Sequence, residues 1–505
     1  MNIIGAVKPE SFSSHSPGNG KVGFIEYLSE KKNIKLEIVH RLDKTTSGAM
    51  VFADNKKDQS FLQNLFAEKK VDKTYHFISS KNNSSDFFER KSLIEKHGKN
   101  WVSQDSKTPN SHTVFRKIKT FRNNDLWEAK PISGKTHQIR LHAKDLGFPI
   151  LGDELYSGKK SDRVYLHCSK ISFPTIKKSH ESIIPLSFSD FDNYSELERT
   201  WLNAISLRQH LVANEIIDSN CYRWIHKEDG LLTCDYLNGH LWFSDFTGSN
   251  RSKLVHGFFK KISPIFELKS GLYRKMINRG DDPTLKIREE FEEVPEKWVA
   301  EENGLKFYLK KNQGQSQGIF LDQRSNRKWV YQNSKNKKVL NLFSYTSFFS
   351  VAAAAGGAVD VISVDTSKAS LNWSKENFRL NDLSDEKFSF FAISAFDYIK
   401  KAKLKNQKFD LVICDPPSFA RNKKSVFKIE KDYQLLLNNL FHLIEIGGKI
   451  IFSSNYEKWD QNIFIKLVAS ALAGKNYYLD TVLPDFDFER PGATPILKSV
   501  IITKN

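Results

Sequence analysis

Hydrophobic positions change their spacing along this chain, and the changes mark out its parts. In the C-terminal third, short unbroken apolar runs alternate with longer helical patterns. Val339 to Phe343 is one such run. A polar turn, Ser344 to Ser347, follows it, and then a helix-like stretch containing Ala352 to Ala355. Val361 to Asp365 is a second run, closed by an acid. Phe409 to Cys414 leads into Asp415-Pro416-Pro417-Ser418-Phe419, and Gly447-Gly448 turns into Lys449 to Asn455. Such runs predict buried strands, and their alternation with helices predicts a doubly wound parallel sheet with ligands at the strands' carboxyl ends. From about Leu197 to 330 the segments are shorter and alternating, LLTCDYL and HLWFSDF among them, which predicts a small α+β subdomain. In the first third, the alternation of His137-Gln138-Ile139-Arg140-Leu141-His142 predicts a strand with Gln138, Arg140 and His142 on one face. A looser stretch containing serines and acids, 179–196, reads as a linker. The expected domains are thus 1–178, 197–330 and 331–505.

Length agrees with that division, since 505 residues correspond to about three domains of ordinary size. A hydrophobic share of 39% with 38 Phe suffices for sizeable cores. No apolar run is long enough to span a bilayer, and MNIIGAVKPES has no secretory pattern, so neither membrane nor export is expected. The net charge of +18 points to a polyanionic partner. The four cysteines, Cys168, Cys221, Cys234 and Cys414, form no C-x-x-C pair, and no histidines fall at zinc spacing. Neither disulfides nor a metal site is expected, and a reducing cytoplasm is the expected location.

Candidate chemistry is densest in two places. In His40-Arg41-Leu42-Asp43-Lys44-Thr45-Thr46-Ser47-Gly48, Asp43 lies between two basic residues. Fixed positive charge keeps a carboxylate ionised, and an ionised carboxylate can act at a sugar's anomeric carbon as nucleophile or as stabiliser of an oxocarbenium ion. Lys73-Thr74-Tyr75, GKTHQIRLH (134–142), GFPILGDELY and LHCSKISF follow in order. With these five segments, residues 3–175 resemble the RluA-type pseudouridine synthases. The resemblance implies an α+β fold with a mixed sheet, no cofactor, and an RNA substrate. It also implies roles: Asp43 as catalytic aspartate, Tyr75 as active-site tyrosine, Arg140 as the arginine paired with the aspartate. Arg41 and His137 are further candidates for substrate contact. The chemistry agrees, because moving uracil from an N- to a C-glycosidic bond involves no redox change. Arg140 can hold the carboxylate bidentately, and Tyr75 can stack on the flipped base and use its hydroxyl as a base.

In the second place, an acid ending the second strand of a doubly wound sheet suits ribose hydroxyls, which makes Asp365 a nucleotide candidate. A dinucleotide reading is weaker, because Ser344-Tyr345-Thr346-Ser347 stands where G-x-G-x-x-G is needed. Residues 200–505 resemble the class I methyltransferases of 23S ribosomal RNA bases, through YRWIHKEDG, EENGLKFYL, GIFLDQR, LNLFSYT, VISVD, DPPSF and GGKIIFSSN. The resemblance implies a Rossmann-like fold and S-adenosylmethionine as cofactor. Phe320, Asp322, Arg324, Phe343, Ser344, Tyr345, Thr346, Asp365, Ser394 and Asp415 would border the cofactor. Asp415 would also be catalytic, with Pro416, Pro417 and Phe419 at the base. Two residues depart from the family pattern: Ser347 replaces a glycine, and Ser394 replaces an acid that meets the adenine amino group.

The chain therefore reads as a multidomain enzyme that both isomerises uridine and methylates a base, with 23S ribosomal RNA or a large-subunit precursor as partner and no metal. Relatives make 7-methylguanine or 5-methylcytosine; 7-methylguanine is expected here, because Ser453, Ser454 and Asn455 fill the stretch after Ile450 to Phe452 where the cytosine type carries its cysteine. The alternative is a methyltransferase whose synthase-like half only binds RNA.

Overall fold

The computed structural model describes residues 3–18, 22–82, 85–276, 287–311, 316–384, 388–421, 426–482, 485–488 and 496–505. It divides into two compact units, 1–217 and 218–505.

The first unit is built on a ten-stranded mixed sheet. Strand Ser47–Ala53, SGAMVFA, is buried at every position, as expected of an apolar segment covered on both faces. It pairs in parallel with Leu166–Phe173, which pairs antiparallel with Asp72–Ser80, the strand that carries Tyr75. Gly48 makes the parallel pairing possible: at φ 118° it lies so close to Cys168 that a Cβ would meet that residue's carbonyl oxygen at 2.1 Å. Helices Phe24–Lys32 and Lys56–Ala67 contribute Phe24, Leu28, Leu62 and Leu65 to a core shared with Met50 and Phe52.

Two expectations fail here. In HQIRLH, His137 precedes a helix, Gln138–Asp145, and Gln138 to His142 belong to it. Its six residues Gln138 to Ala143 are all buried, and burial on every side hides the helical period from an alternation test. Gln138 and His142, four apart, both bond Thr113 Oγ1 at 2.9 Å, whereas Arg140 is directed to acids outside that face. The domain boundary also moves. Helix Glu196–Ala213, expected to open the second part, belongs to the first unit. Ser195 and Glu198 close a capping box at its start. Beyond its end, the Asn214 side chain accepts the Val7 N–H and donates to the Val7 carbonyl, both at 2.8 Å, and so completes edge strand Ile3–Lys8.

The second unit contains a five-stranded sheet, a hairpin and a seven-stranded sheet. In the last, Lys338–Leu342 lies between Asp360–Asp365 and Phe409–Cys414, all parallel, so the strand order reverses at this first strand. That is the switch point at which doubly wound sheets open a ligand crevice. Nothing divides the unit near 330. Cys221, Leu237, Trp242 and Leu272 of the small sheet share one core with Val339 and Val361 of the large one and Val351 of helix Phe348–Ala355. Among the described residues no helix is long and apolar enough to cross a membrane.

Candidate active sites

The loop before strand Ser47–Ala53 carries the first site. It is pinned from several directions. Ser14 Oγ donates to the Leu42 carbonyl at 2.8 Å and accepts the Leu42 N–H at 3.1 Å. The Thr46 N–H closes a turn on the Asp43 carbonyl at 3.0 Å. His40 accepts the Val51 N–H and stacks on Phe66, and burial pushes its pKa down to about 3, so it is a neutral strut. Lys8, fully buried, donates to the carbonyls of Pro9, Phe12 and Lys44, and burial lowers its pKa to about 7.

Thus held, the half-buried Asp43 faces a cavity of about 640 Å³ lined also by Arg41, His137, Arg140 and Asp153. Arg140 reaches Asp43 Oδ2 with Nη1 at 3.3 Å. Its fork, however, grips Asp153, with Nε and Nη2 each at 2.7 Å from a carboxylate oxygen. The bidentate partner of Arg140 is therefore Asp153, which leaves Asp43 a single charged bond and a second oxygen outside the fork. Asp153, in the GDELY segment, was not singled out from sequence, although its segment was. His137, at φ 58° ahead of the helix, is 3.8 Å from Asp43 through Nε2 and 2.7 Å from the Tyr156 hydroxyl through Nδ1. The Arg140 guanidinium also lies 4.9 Å from the Tyr156 ring centre. Arg41 is exposed at the rim.

Tyr75 faces Cys168 across the sheet. Burial first, then Cys168 and Asp43, push its pKa well above that of a free phenol.

The second site forms at the switch point. Phe343, Tyr345 and Ser347 have φ of 57°, 49° and 56°, three left-handed non-glycine residues within five. Such conformations cost about 1–3 kcal/mol each and persist only where neighbours impose them. Here the neighbours are specific. Asp365, at the end of its strand, accepts the N–H groups of Tyr345 at 2.9 Å and Ser367 at 2.8 Å. The Tyr345 ring lies between Phe320 and Trp373, at 5.6 and 6.2 Å. Thr346 Oγ1 donates to the Gly318 carbonyl, and Ser347 Oγ bonds Ser374 Oγ at 2.7 Å. Ser344 Oγ is buried with no hydrogen-bond partner among the described residues, so the turn presents a free polar atom to a ligand. The turn, Asp365 and the exposed ring of Phe320 fit a nucleoside cofactor.

Asp415 follows the buried strand Phe409–Cys414 directly, with Pro416 buried and Pro417 exposed. Burial, reinforced by Asp322, pushes its carboxyl up to about 7, while Gln323 and Arg327 act against the rise. Asp322 is itself raised by burial, opposed by Arg223 and Arg327. Phe419 is 40% exposed. Two expected cofactor residues are occupied otherwise. Arg324 is buried, with its fork on Asp487 at 2.9 and 3.1 Å. Ser394 caps helix Ala395–Leu404, accepting the Asp397 N–H at 3.1 Å and donating to its carboxylate at 2.7 Å.

Fold and sites define a two-part enzyme: a mixed-sheet unit with an arginine-held aspartate, and a doubly wound unit with a nucleoside crevice and an Asp-Pro-Pro turn. The RNA pseudouridylate synthase family model matches residues 2–145, and the S-adenosylmethionine-dependent methyltransferase model matches residues 278–478. The chain is 34% identical over 307 residues to YwbD of Bacillus subtilis (strain 168), whose name assigns it provisionally to the ribosomal RNA large subunit methyltransferases; the match covers 57% of this chain and 76% of that protein. The chain belongs to the S-adenosylmethionine-dependent methyltransferase family, and it carries a pseudouridine synthase domain ahead of the methyltransferase. It is also 39% identical over 194 residues to ribosomal RNA large subunit methyltransferase K/L of Shewanella pealeana, covering 38% of this chain but only 26% of that one. The crystal structure of SMU.776 with SAH, provisionally named a methyltransferase, superposes with a TM-score of 0.54 at 28% identity, over 60% of this chain and 80% of that one.

Proposed function

We propose that the chain modifies large-subunit ribosomal RNA at two sites, isomerising uridine in the first unit and methylating guanine N7 in the second. The first activity is carried by Asp43, which opens onto a cavity with its charge secured by an arginine that is clamped from behind. A half that only bound RNA would have no use for that arrangement. The RNA partner is supported by the names of the relatives and by the net charge of +18.

The choice of atom rests on the cysteines. S-adenosylmethionine supplies an electrophilic methyl group when bound. Carbon-5 of cytosine becomes nucleophilic enough only after a thiolate adds to the ring. All four cysteines are buried, and burial pushes each thiol above its ordinary pKa, Cys414 included. Ser453 and Ser454 are buried and hold the stretch after Ile450. Guanine N7 already has a lone pair and needs only alignment. The ionised carboxylate of Asp415 can accept hydrogen bonds from the guanine N1 and N2 donors, and the exposed Phe419 ring can stack on the base.

The test is digestion of unmodified large-subunit RNA after reaction with the purified chain and labelled cofactor. Label in 7-methylguanine, together with new pseudouridine, is expected. Label in 5-methylcytosine that disappears in Cys414→Ser would overturn the second assignment, and no new pseudouridine would overturn the first.

A further inference from the structure

The five-stranded sheet of the second unit holds a group of arginines that no step above uses. Trp242, on strand His240–Asp245, is 2% exposed, and two guanidinium groups lie against its indole, Arg274 at 5.9 Å and Arg288 at 5.7 Å from the ring centre. The two arginines are register partners on neighbouring strands. Asp235, the register partner of Trp242 on its other side, pairs with a third, Arg223. Three arginines thus share one carboxylate.

Among the described residues neither of the outer two makes an ion pair of its own, and Asp235 is bonded to Arg223. Arg274 is half-buried and bonds only a hydroxyl, Nε to Ser244 Oγ at 2.8 Å; among the described residues no carboxylate pairs with it. Burial pushes its pKa down to about 10; Asp235 opposes the fall, and Arg288 and Arg223 add to it. Arg288 is exposed and donates to the Lys311 carbonyl at 2.8 Å. Crowding like charges partly out of water is costly, and an anion bound between them offsets that cost. Arginine's planar fork suits phosphate oxygens, and indole keeps the forks extended without neutralising them. The cluster is tied to the cofactor side of the unit through Arg223, whose backbone N–H bonds Asp487 at 3.0 Å, the carboxylate forked by Arg324 two residues after Asp322.

We infer that Arg274 and Arg288, backed by Trp242 and Arg223, form a phosphate-binding site that grips the RNA backbone beside the nucleotide to be methylated. The inference rests on the methyltransferase reading above. It gives the small sheet a task distinct from cofactor binding, namely holding the strand from which the base is turned out.

The test uses the full chain and a transcript of large-subunit ribosomal RNA. Arg274→Met with Arg288→Met keeps the apolar cover on Trp242 and removes both charges. Affinity for the transcript should fall at least about ten-fold at low salt, and the log–log salt slope should become shallower by about 1–2, roughly 0.7–0.9 per lost phosphate contact. S-adenosylmethionine affinity by calorimetry should stay at the wild-type value. Arg274→Lys should restore most of the slope, which a packing role would not produce. Arg288→Glu, at an exposed position, provides the same reading should the double variant fold poorly. Wild-type affinity and slope in folded variants would overturn the site while leaving the methyltransferase reading intact. A wild-type chain that does not bind the transcript would overturn both.

Discussion

The two units each place one aspartate at a reacting centre and treat it in opposite ways. Asp43 opens onto a cavity of about 640 Å³ and faces a guanidinium that Asp153 fixes. Asp415, likewise half-buried, follows a buried strand, and burial reinforced by Asp322 pushes its carboxyl up to about 7. The first arrangement puts a carboxylate oxygen at a cavity beside a fixed guanidinium, as the proposed attack at a sugar carbon requires. The second leaves the carboxyl able to exchange a proton near neutrality, which suits hydrogen-bonded recognition of a base edge. The same residue type is fitted to two tasks by what surrounds it.

The sharpest break of this comparison is Asp43→Ala. It should lower pseudouridine formation by more than about a thousand-fold while methyl transfer in the same sample continues, as read by nucleoside mass spectrometry. Substantial residual isomerisation would remove Asp43 from the chemistry. Next in size is Asp153→Ala, which leaves the buried Arg140 fork without its main partner. A destabilisation of about 3–5 kcal/mol in the unfolding of the first unit, with loss of isomerisation, is expected. An unchanged calorimetric transition would show that Asp43 alone holds Arg140.

Asp365→Ala should weaken S-adenosylmethionine binding by about ten- to a hundred-fold in calorimetry, since two backbone N–H groups and the ribose lose their acceptor. Unaltered affinity would displace the crevice. The pH dependence of methylation sharpens the contrast further. Ionised Asp415 accepts both guanine donors and the protonated form does not, so single-turnover methylation should rise as pH climbs through about 7. Asp415→Asn should abolish that rise; a rise that survives it would belong to another group. The smallest effect concerns the strained turn. Ser347→Gly and Ser347→Ala both lose the bond to Ser374, but only glycine relieves a φ of 56°. The glycine variant should be more stable than the alanine variant by about 1 kcal/mol in thermal unfolding of the second unit.

Much of this was legible in the chain. The strand-ending acid Asp365, the turn after Leu342 and the Asp-Pro-Pro turn all occupy the strand ends at which their pattern put them, because a buried parallel strand shows as an unbroken apolar run. HQIRLH misled for the converse reason: a helix buried on all sides has no polar face to reveal its period. Helix Glu196–Ala213 has a legible capping box, but nothing local says which unit it serves. That depends on Asn214 meeting Val7, 207 positions away.

The sequence by itself determined the residue types, their order and the strand–helix rhythm, and so the two fold classes and the candidates for the reacting groups. It could do so because those signals are local: a turn, a run, a capping residue. Only the tertiary structure decided that Arg140 is forked onto Asp153 rather than Asp43, that Arg324 is consumed by Asp487, and that burial pushes the Asp415 carboxyl up to about 7. It also gathered Arg223, Arg274 and Arg288 around one indole. Pairing, desolvation and like-charge crowding depend on which distant segments share a few ångströms of space, and no single stretch of chain records that.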